Sequence, residues 1–244
     1  GMDQIQVSAN WMAASGENIE DLALRKGVEA LSNFSIDLGV SIPVGKDSLS
    51  MRTKWEEGND QYAVKSPLSG VITAMAPVDD VRDAVTTLLK KDTDSQLVLI
   101  KLNDKNRLGG SIFSEVYNQT VEETPDVDSA EIFIKMFKLT QSLIKEGSID
   151  ALHDVSDGGL VSAICELAFT ARTGISINLD SLVKDESLLN EVLFNEEIGL
   201  ILQIDKSKIN DITNQFNEQG LNVFVLGELN TNDVLEIDLN DKTI

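Results

Sequence analysis

One cysteine, one histidine and a shortage of bases are what this 244-residue chain lacks most, with 20 Lys and Arg against 41 Asp and Glu. A single cysteine, Cys165, can form neither an internal disulfide nor a thiolate metal cluster, which fits a reducing cytoplasm. Its place in an apolar helical stretch reads as core packing. The formal net charge of −21 repels a nucleic-acid backbone or an anionic membrane, so neither is expected as the main partner. Acidity of this kind serves solubility, and it still permits a nucleotide if Mg²⁺ stands between carboxylates and phosphates. No apolar run reaches the roughly 18 residues of a membrane span. The opening Gly1-Met2-Asp3-Gln4 lacks the basic-then-apolar order of a secretion signal, and a Gly ahead of the Met reads as the scar of a cleaved tag. Short repeats, low-complexity tracts and heptads are absent.

What is present describes an ordinary globular chain, 42% hydrophobic and 25% charged, long enough for one large domain or one and a half. Ile19, Leu22, Ala23, Ala30, Leu31, Phe34 and Leu38 recur at helical spacing and predict a helix over 17–38 that stops at Gly39. A short strand over 40–44 runs into a loop, Gly45-Lys46-Asp47-Ser48. The polar stretch 55–65 predicts a loop or loose hairpin tip and a domain boundary nearby. After it, strands (70–78, 96–102, 151–155, 175–179, 200–204, 222–229, 234–238) alternate with helices (79–89, 108–119, 129–146, 158–172, 186–193, 207–219). The continuous apolar run 96–102 suits a strand covered on both faces. The alternation predicts an α/β or α+β layered fold.

The stretch richest in chemistry is His153-Asp154-Val155-Ser156-Asp157-Gly158-Gly159-Leu160. A strand ends at His153 or Asp154 and a helix begins near Gly158. The glycine pair lets a ligand approach the backbone closely, and the helix start offers unpaired N–H groups and partial positive charge that suit phosphate. Ser156 can give a hydroxyl to a phosphate oxygen, and Asp154 can hold Mg²⁺ against it. The same letters also describe a plain capped helix, with Ser156 or Asp157 as N-cap and the glycines as turn residues. His153 could act as a general base, but at a strand end a hydrogen-bonded structural role is the expectation. A second stretch, Pro43 to Met51, is not a phosphate loop of the lysine type, because the glycine that such a loop needs ahead of Gly45-Lys46 is absent and no helix follows. Its Lys46, Asp47 and Ser48 either contact a phosphorylated substrate or form a polar surface turn. A third, Phe194-Asn195-Glu196-Glu197-Ile198-Gly199, sets an amide and two acids at the rim of a sheet. They could bind metal or ribose hydroxyls, or form a solvated loop. Leu108-Gly109-Gly110-Ser111 is either another helix start or glycine packing.

Taken in order, Ser8 to Met12, Ile42 to Met51, Ser66-Pro67-Leu68, His153 to Leu160 and Leu193 to Gly199 resemble the large, glutamine-dependent form of phosphoribosylformylglycinamidine synthase over nearly the whole chain. That family makes formylglycinamidine ribonucleotide from formylglycinamide ribonucleotide, glutamine and ATP. Its synthetase part holds two copies of an aminoimidazole-ribonucleotide-synthetase-like unit, each with an N-terminal and a C-terminal α/β domain. The resemblance implies that residues 1–67 are the tail of an N-terminal domain and 68–244 a complete C-terminal domain of the second copy. It implies that Asp154 holds Mg²⁺, and that Ser156, Gly158 and Gly159 contact ATP or ADP at an auxiliary site. Lys46, Asp47, Ser48, Asn195 and Glu196 become substrate or phosphate candidates. The implied partners are the first synthetase copy and the glutaminase domain of the same cytoplasmic polypeptide, together with a small-molecule nucleotide. The glutaminase cysteine and histidine have no counterpart here, and the acid and amide that supply other Mg²⁺ ligands would lie before residue 1. The chain is therefore expected to be an internal fragment, inactive alone, that binds nucleotide weakly or not at all and self-associates through an exposed apolar face. Stand-alone relatives such as selenophosphate synthetase need a complete N-terminal nucleotide domain, for which 67 residues are too few. A non-catalytic nucleotide-binding module is the alternative.

Overall fold

The computed structural model describes residues 1–243, which form two compact units, Gly1–Asp79 and the chain from Asp80 onward. In the first unit, β1 (Gln6–Met12) is followed by α1 (Asn18–Leu38), β2 (Ser41–Ser48), a hairpin of β3 (Arg52–Glu57) and β4 (Asp60–Lys65), and β5 (Ser69–Met75). β1 is central, parallel to β2 and antiparallel to β5. Parallel neighbours need a long crossover, which α1 supplies before Gly39 ends it in the left-handed region at φ 69°. Pairing with β1 runs as far as Met12↔Ser48, so Gly45-Lys46-Asp47-Ser48 lies in a strand and not in a loop. The stretch 55–65 is an ordered hairpin, with Trp55 stacked on Tyr62 at 5.4 Å. β5 pairs with β1 from Gln6↔Met75 to Met12↔Ser69. That ladder carries the first unit past the expected division after residue 67. Apolar side chains stand exposed on this unit, among them Ile19, Leu22 and Ile36 of α1 and Val71, Ile72 and Met75 of β5.

The second unit is built on a seven-stranded sheet. Its elements in chain order are β6 (Ser95–Lys101), α2 (Ile112–Val116), α3 (Ala130–Lys145), β7 (Ala151–Val155), α4 (Gly159–Ala171), β8 (Gly174–Asn178), α5 (Leu189–Phe194), β9 (Gly199–Asp205), α6 (Ile209–Glu218), β10 (Asn222–Asn230), β11 (Leu235–Leu239) and β12 (Lys242–Thr243). The strand order is β12-β11-β8-β10-β6-β9-β7, antiparallel except for the β8–β11 pair. Alternation along β6 explains the layering. Leu97 and Leu99 join a cluster with Leu160, Ile164 and Leu167 of α4, while Val98 and Ile100 join one with Met136 and Leu143 of α3 and Ile212 and Phe216 of α6. Each such fully buried side chain contributes about 1.5–3 kcal/mol by burial. The helix–sheet–helix layering agrees with the α/β expectation.

Two expected helices are largely missing, and the reason is tertiary. Over 79–89 only a single tight turn forms, Val81–Asp83, capped by Asp80. The backbone beyond it is engaged elsewhere. Thr86 O accepts from Leu152 N of β7 at 3.0 Å, and the buried Gln203 amide bonds both N and O of Lys90 at 2.8 Å. The helix expected over 108–119 shrinks to α2 because Gly109 N donates to Glu123 O at 2.8 Å, drawing the chain back on itself. Among the described residues no helix is long and apolar enough to cross a membrane.

Candidate functional site

The site lies where strands end together. β6 and β7 flank β9, and Lys101, Gly199 and Val155 are in register across the three. β6 and β7 therefore finish at the edge where β9 begins. The segments leading to α2 and to α4, and the turn 194–199 from α5, converge there.

At the β7–α4 corner, Gly158 and Gly159 have φ of +82° and +69°. A Cβ on Gly159 would stand 2.6 Å from Asn195 O, so only glycine lets the start of α4 lie against the 194–199 turn. Asp154, Ser156 and Asp157 are exposed, so the corner's outer face is open. The N–H groups expected to be unpaired are not all so. Glu196 Oε1 accepts from Gly158 N and from Ile112 N, both at 2.9 Å, so the N-cap amide of α4 and the first amide of α2 meet on one carboxylate, while Gly159 N donates to Ser156 O at 2.9 Å. His153 is nearly buried, with Nε2 2.8 Å from Glu166 Oε2 on α4 and Nδ1 2.6 Å from Asp154 O. It ties β7 to α4, in keeping with a structural role.

The expected acid pair divides. Glu197, only 2% exposed, receives Arg107 Nε at 2.6 Å and Nη2 at 2.8 Å, with Arg107 N at 3.2 Å and Asn103 Nδ2 at 3.3 Å. Burial pushes its carboxyl up, but the Arg107 and Asn103 bonds outweigh that and hold it below the usual range. The bonds to Glu197, with help from Asp128, raise Arg107 against its own burial. Lys101, also buried, donates to Lys105 O at 2.9 Å and Asn106 Oδ1 at 2.7 Å. Burial pushes it down to about 8 against the pull of Glu197 and Asp104. Asn195 is buried and committed internally. Its amide donates to Glu191 O at 2.6 Å and Val192 O at 3.0 Å at the end of α5, and its Oδ1 accepts from Glu197 N at 3.3 Å. It caps a helix and has no open face for a phosphate.

The structure thus gathers Asp154, Ser156, Gly158, Gly159, Asn195 and Glu196 at one corner. Lys46, Asp47 and Ser48 belong to β2 of the first unit, where Lys46 Nζ donates to Ser48 Oγ at 2.9 Å on an exposed strand. Arg107 and Lys101 escaped the sequence reading. Their available signal was two cations at and just beyond the end of an apolar strand, which no local pattern marks as buried. Cys165 is half-buried, and burial, then Glu166, pushes its thiol up, the reverse of an activated nucleophile. Among the described residues no group of three His, Cys, Asp or Glu could hold a metal ion. The donor set here does not fit Mg²⁺ held by these residues alone.

Comparison with known proteins supplies a family context. The family model "AIR synthase related protein, C-terminal domain" matches residues 94–240, and "FGAR-AT PurM N-like domain" matches residues 1–77. Among solved structures, Thermotoga maritima PurL complexed with ATP is 15% identical at a TM-score of 0.70, over 100% of this chain and 37% of that one. T. maritima PurL complexed with FGAR is 15% identical at 0.71, over 98% and 38%. Escherichia coli HypE, a hydrogenase maturation protein, is 15% identical at 0.69, over 98% and 71%. At these identities the likeness shows the fold, and the chain spans well under half the length of the PurL chains it matches.

Proposed function

Because the chain belongs to the AIR synthase related family, with the domain pair of a phosphoribosylformylglycinamidine synthase-like protein, we propose that it is the nucleotide-handling half-unit of an ATP-dependent carbon–nitrogen ligase. The ligase forms formylglycinamidine ribonucleotide, with glutamine as the nitrogen source. The fold alone is shared with HypE, so the choice rests on the FGAR-AT PurM N-like domain preceding the C-terminal domain.

Within this chain the β7–α4 corner takes the nucleotide phosphates. The observation that carries this is its open face, with the Ser156 hydroxyl and Asp154 carboxylate exposed beside a glycine-built helix start. A bound Mg²⁺ would neutralise phosphate charge, with the exposed Asp154 carboxylate as its candidate holder and Asp157 exposed beside it. Ser156 donates its hydroxyl, and the backbone at Gly158 and Gly159 approaches without side-chain obstruction. The chain's own groups are suited to binding and not to turnover, which favours an auxiliary, non-catalytic nucleotide site as the second reading. Lys46 and Ser48 are the candidates for a phosphorylated substrate in the first unit, and the exposed apolar side chains there support a surface for the remaining ligase domains or a second copy.

Titrating Mg·ADP into the 244-residue protein tests the reading. We expect weak binding, above micromolar, that Ser156→Ala weakens further. Sub-micromolar affinity would overturn the weak-binding inference. Absence of any amide shift at Gly158 with millimolar Mg·ADP would overturn the nucleotide site itself. An assay for phosphate release from ATP separates an auxiliary site from a catalytic one.

A further inference from the structure

We propose that the Glu196 carboxylate is an internal stand-in for a ligand phosphate, a latch that closes the corner and must swing out before a nucleotide's anion can take its place. The inference rests on the nucleotide reading of that corner and adds its regulation.

Glu196 Oε1 holds the Gly158 and Ile112 amides at 2.9 Å each. They are the N-cap amide of α4 and the first amide of the short α2, backbone donors of the kind a phosphate oxygen seeks. Charge-assisted bonds of this type are short and about twice as strong as neutral ones. The same two N–H groups cannot serve a second anion while the carboxylate remains, and a phosphate beside it would meet like charge.

The neighbours make the latch a side-chain device. On one side Asn195 is 5% exposed and engaged in capping α5, and on the other Glu197 is 2% exposed and held by Arg107. The backbone of the turn is thus fixed at both flanks. Glu196 itself is partly exposed. Among the described residues its side chain is joined by those two amides and by no lysine or arginine. Rotation about its own χ angles frees both amides without moving the sheet. Weak nucleotide binding by the chain alone is then the expected result, since the carboxylate competes inside the molecule at a fixed, high effective concentration.

The test compares Mg·ADP and inorganic phosphate titrations of the wild-type chain, Glu196→Gln and Glu196→Ala. Calorimetry and the amide resonances of Gly158 and Ile112 provide the readouts, and thermal unfolding serves as the fold control. Glu196→Gln keeps the shape and both bonds without the charge, so it stays folded even if Glu196→Ala does not. We expect both variants to bind Mg·ADP more tightly than wild type, on the order of tenfold for Glu196→Ala, the loss of two charge-assisted bonds that the ligand no longer has to break. Equal or weaker binding by folded Glu196→Gln, with wild type still binding, would make Glu196 a plain helix cap and overturn the latch while leaving the nucleotide site standing. Binding by none of the three would overturn both.

Discussion

Lys101 gives the sharpest test of the buried network. It is 7% exposed, and burial lowers it from an ordinary 10.5 to about 8. Its two acceptors, Lys105 O and Asn106 Oδ1, can be satisfied by a neutral amine as well as by an ammonium, so deprotonation keeps both bonds and removes a desolvated charge. The sign follows from linkage. Between about pH 8 and 10.5 the unfolded chain carries a proton that the folded chain has given up, so stability rises with pH across that window. Below about pH 8 both states are protonated and the full penalty applies. At about 1.4 kcal/mol per pH unit, the interval corresponds to about 3 kcal/mol. The perturbation is Lys101→Met, similar in length and without charge. Urea unfolding of both proteins from pH 7 to 10.5 should be followed by far-ultraviolet circular dichroism, because Trp11 and Trp55 both lie in the first unit and their fluorescence is blind to the second. Other lysines, the tyrosines and Cys165 cancel in the difference between wild type and variant. That difference should climb in favour of wild type by about 3 kcal/mol, and a change below about 1 kcal/mol would refute the claim that this lysine is desolvated.

Other expectations follow from single contacts. Arg107→Met leaves Glu197 buried without its bidentate partner and should cost about 3–5 kcal/mol in urea unfolding at pH 7. Because the Glu197 carboxyl is lowered from 4.5, the pair's contribution is complete above that pH and fades as pH falls below it, so the acid limb of wild-type stability should be steeper than that of Arg107→Met. Gly159→Ala combines a φ of +69° with a methyl 2.6 Å from Asn195 O; a loss above about 2 kcal/mol is expected, and a variant within about 0.5 kcal/mol of wild type would contradict the tight approach. Thr140 is buried in α3 with a hydroxyl that has no hydrogen-bond partner among the described residues, so Thr140→Val should raise the melting temperature, by about 0.5–2 kcal/mol of stability.

The layered fold was legible wherever apolar periodicity was strong. β6 carries four consecutive apolar residues, Leu97 to Ile100, covered on both faces, and α3 keeps its Met136–Leu143 stripe and its Ser129 cap. The pattern failed where the backbone bonds to distant chain. The 84–90 segment has helical composition, but Gln203 and Leu152 claim its amides and carbonyls from far along the sequence. Gly45 to Ser48 looks like a loop because its neighbours in the ladder lie more than 30 residues away. At the corner, the glycines and the exposed Ser156 were legible from local chemistry. The partition of Glu196 from Glu197 was not, because it depends on Arg107 and Ile112 arriving from another loop.

The segment that settles beside β7 has a consequence for the company the protein keeps. A sheet ends in a row of unpaired backbone groups to which a stranger's strand can add. Here the β7 side is fenced by residues 84–90, hung from Gln203 and from the Leu152–Thr86 bond, while the opposite border is the two-residue β12, too short to template much. Gln203 is in effect a gatepost: loosen it, as in Gln203→Leu, and the first sign of damage should be chains joining one another in light scattering before any melting of the sheet.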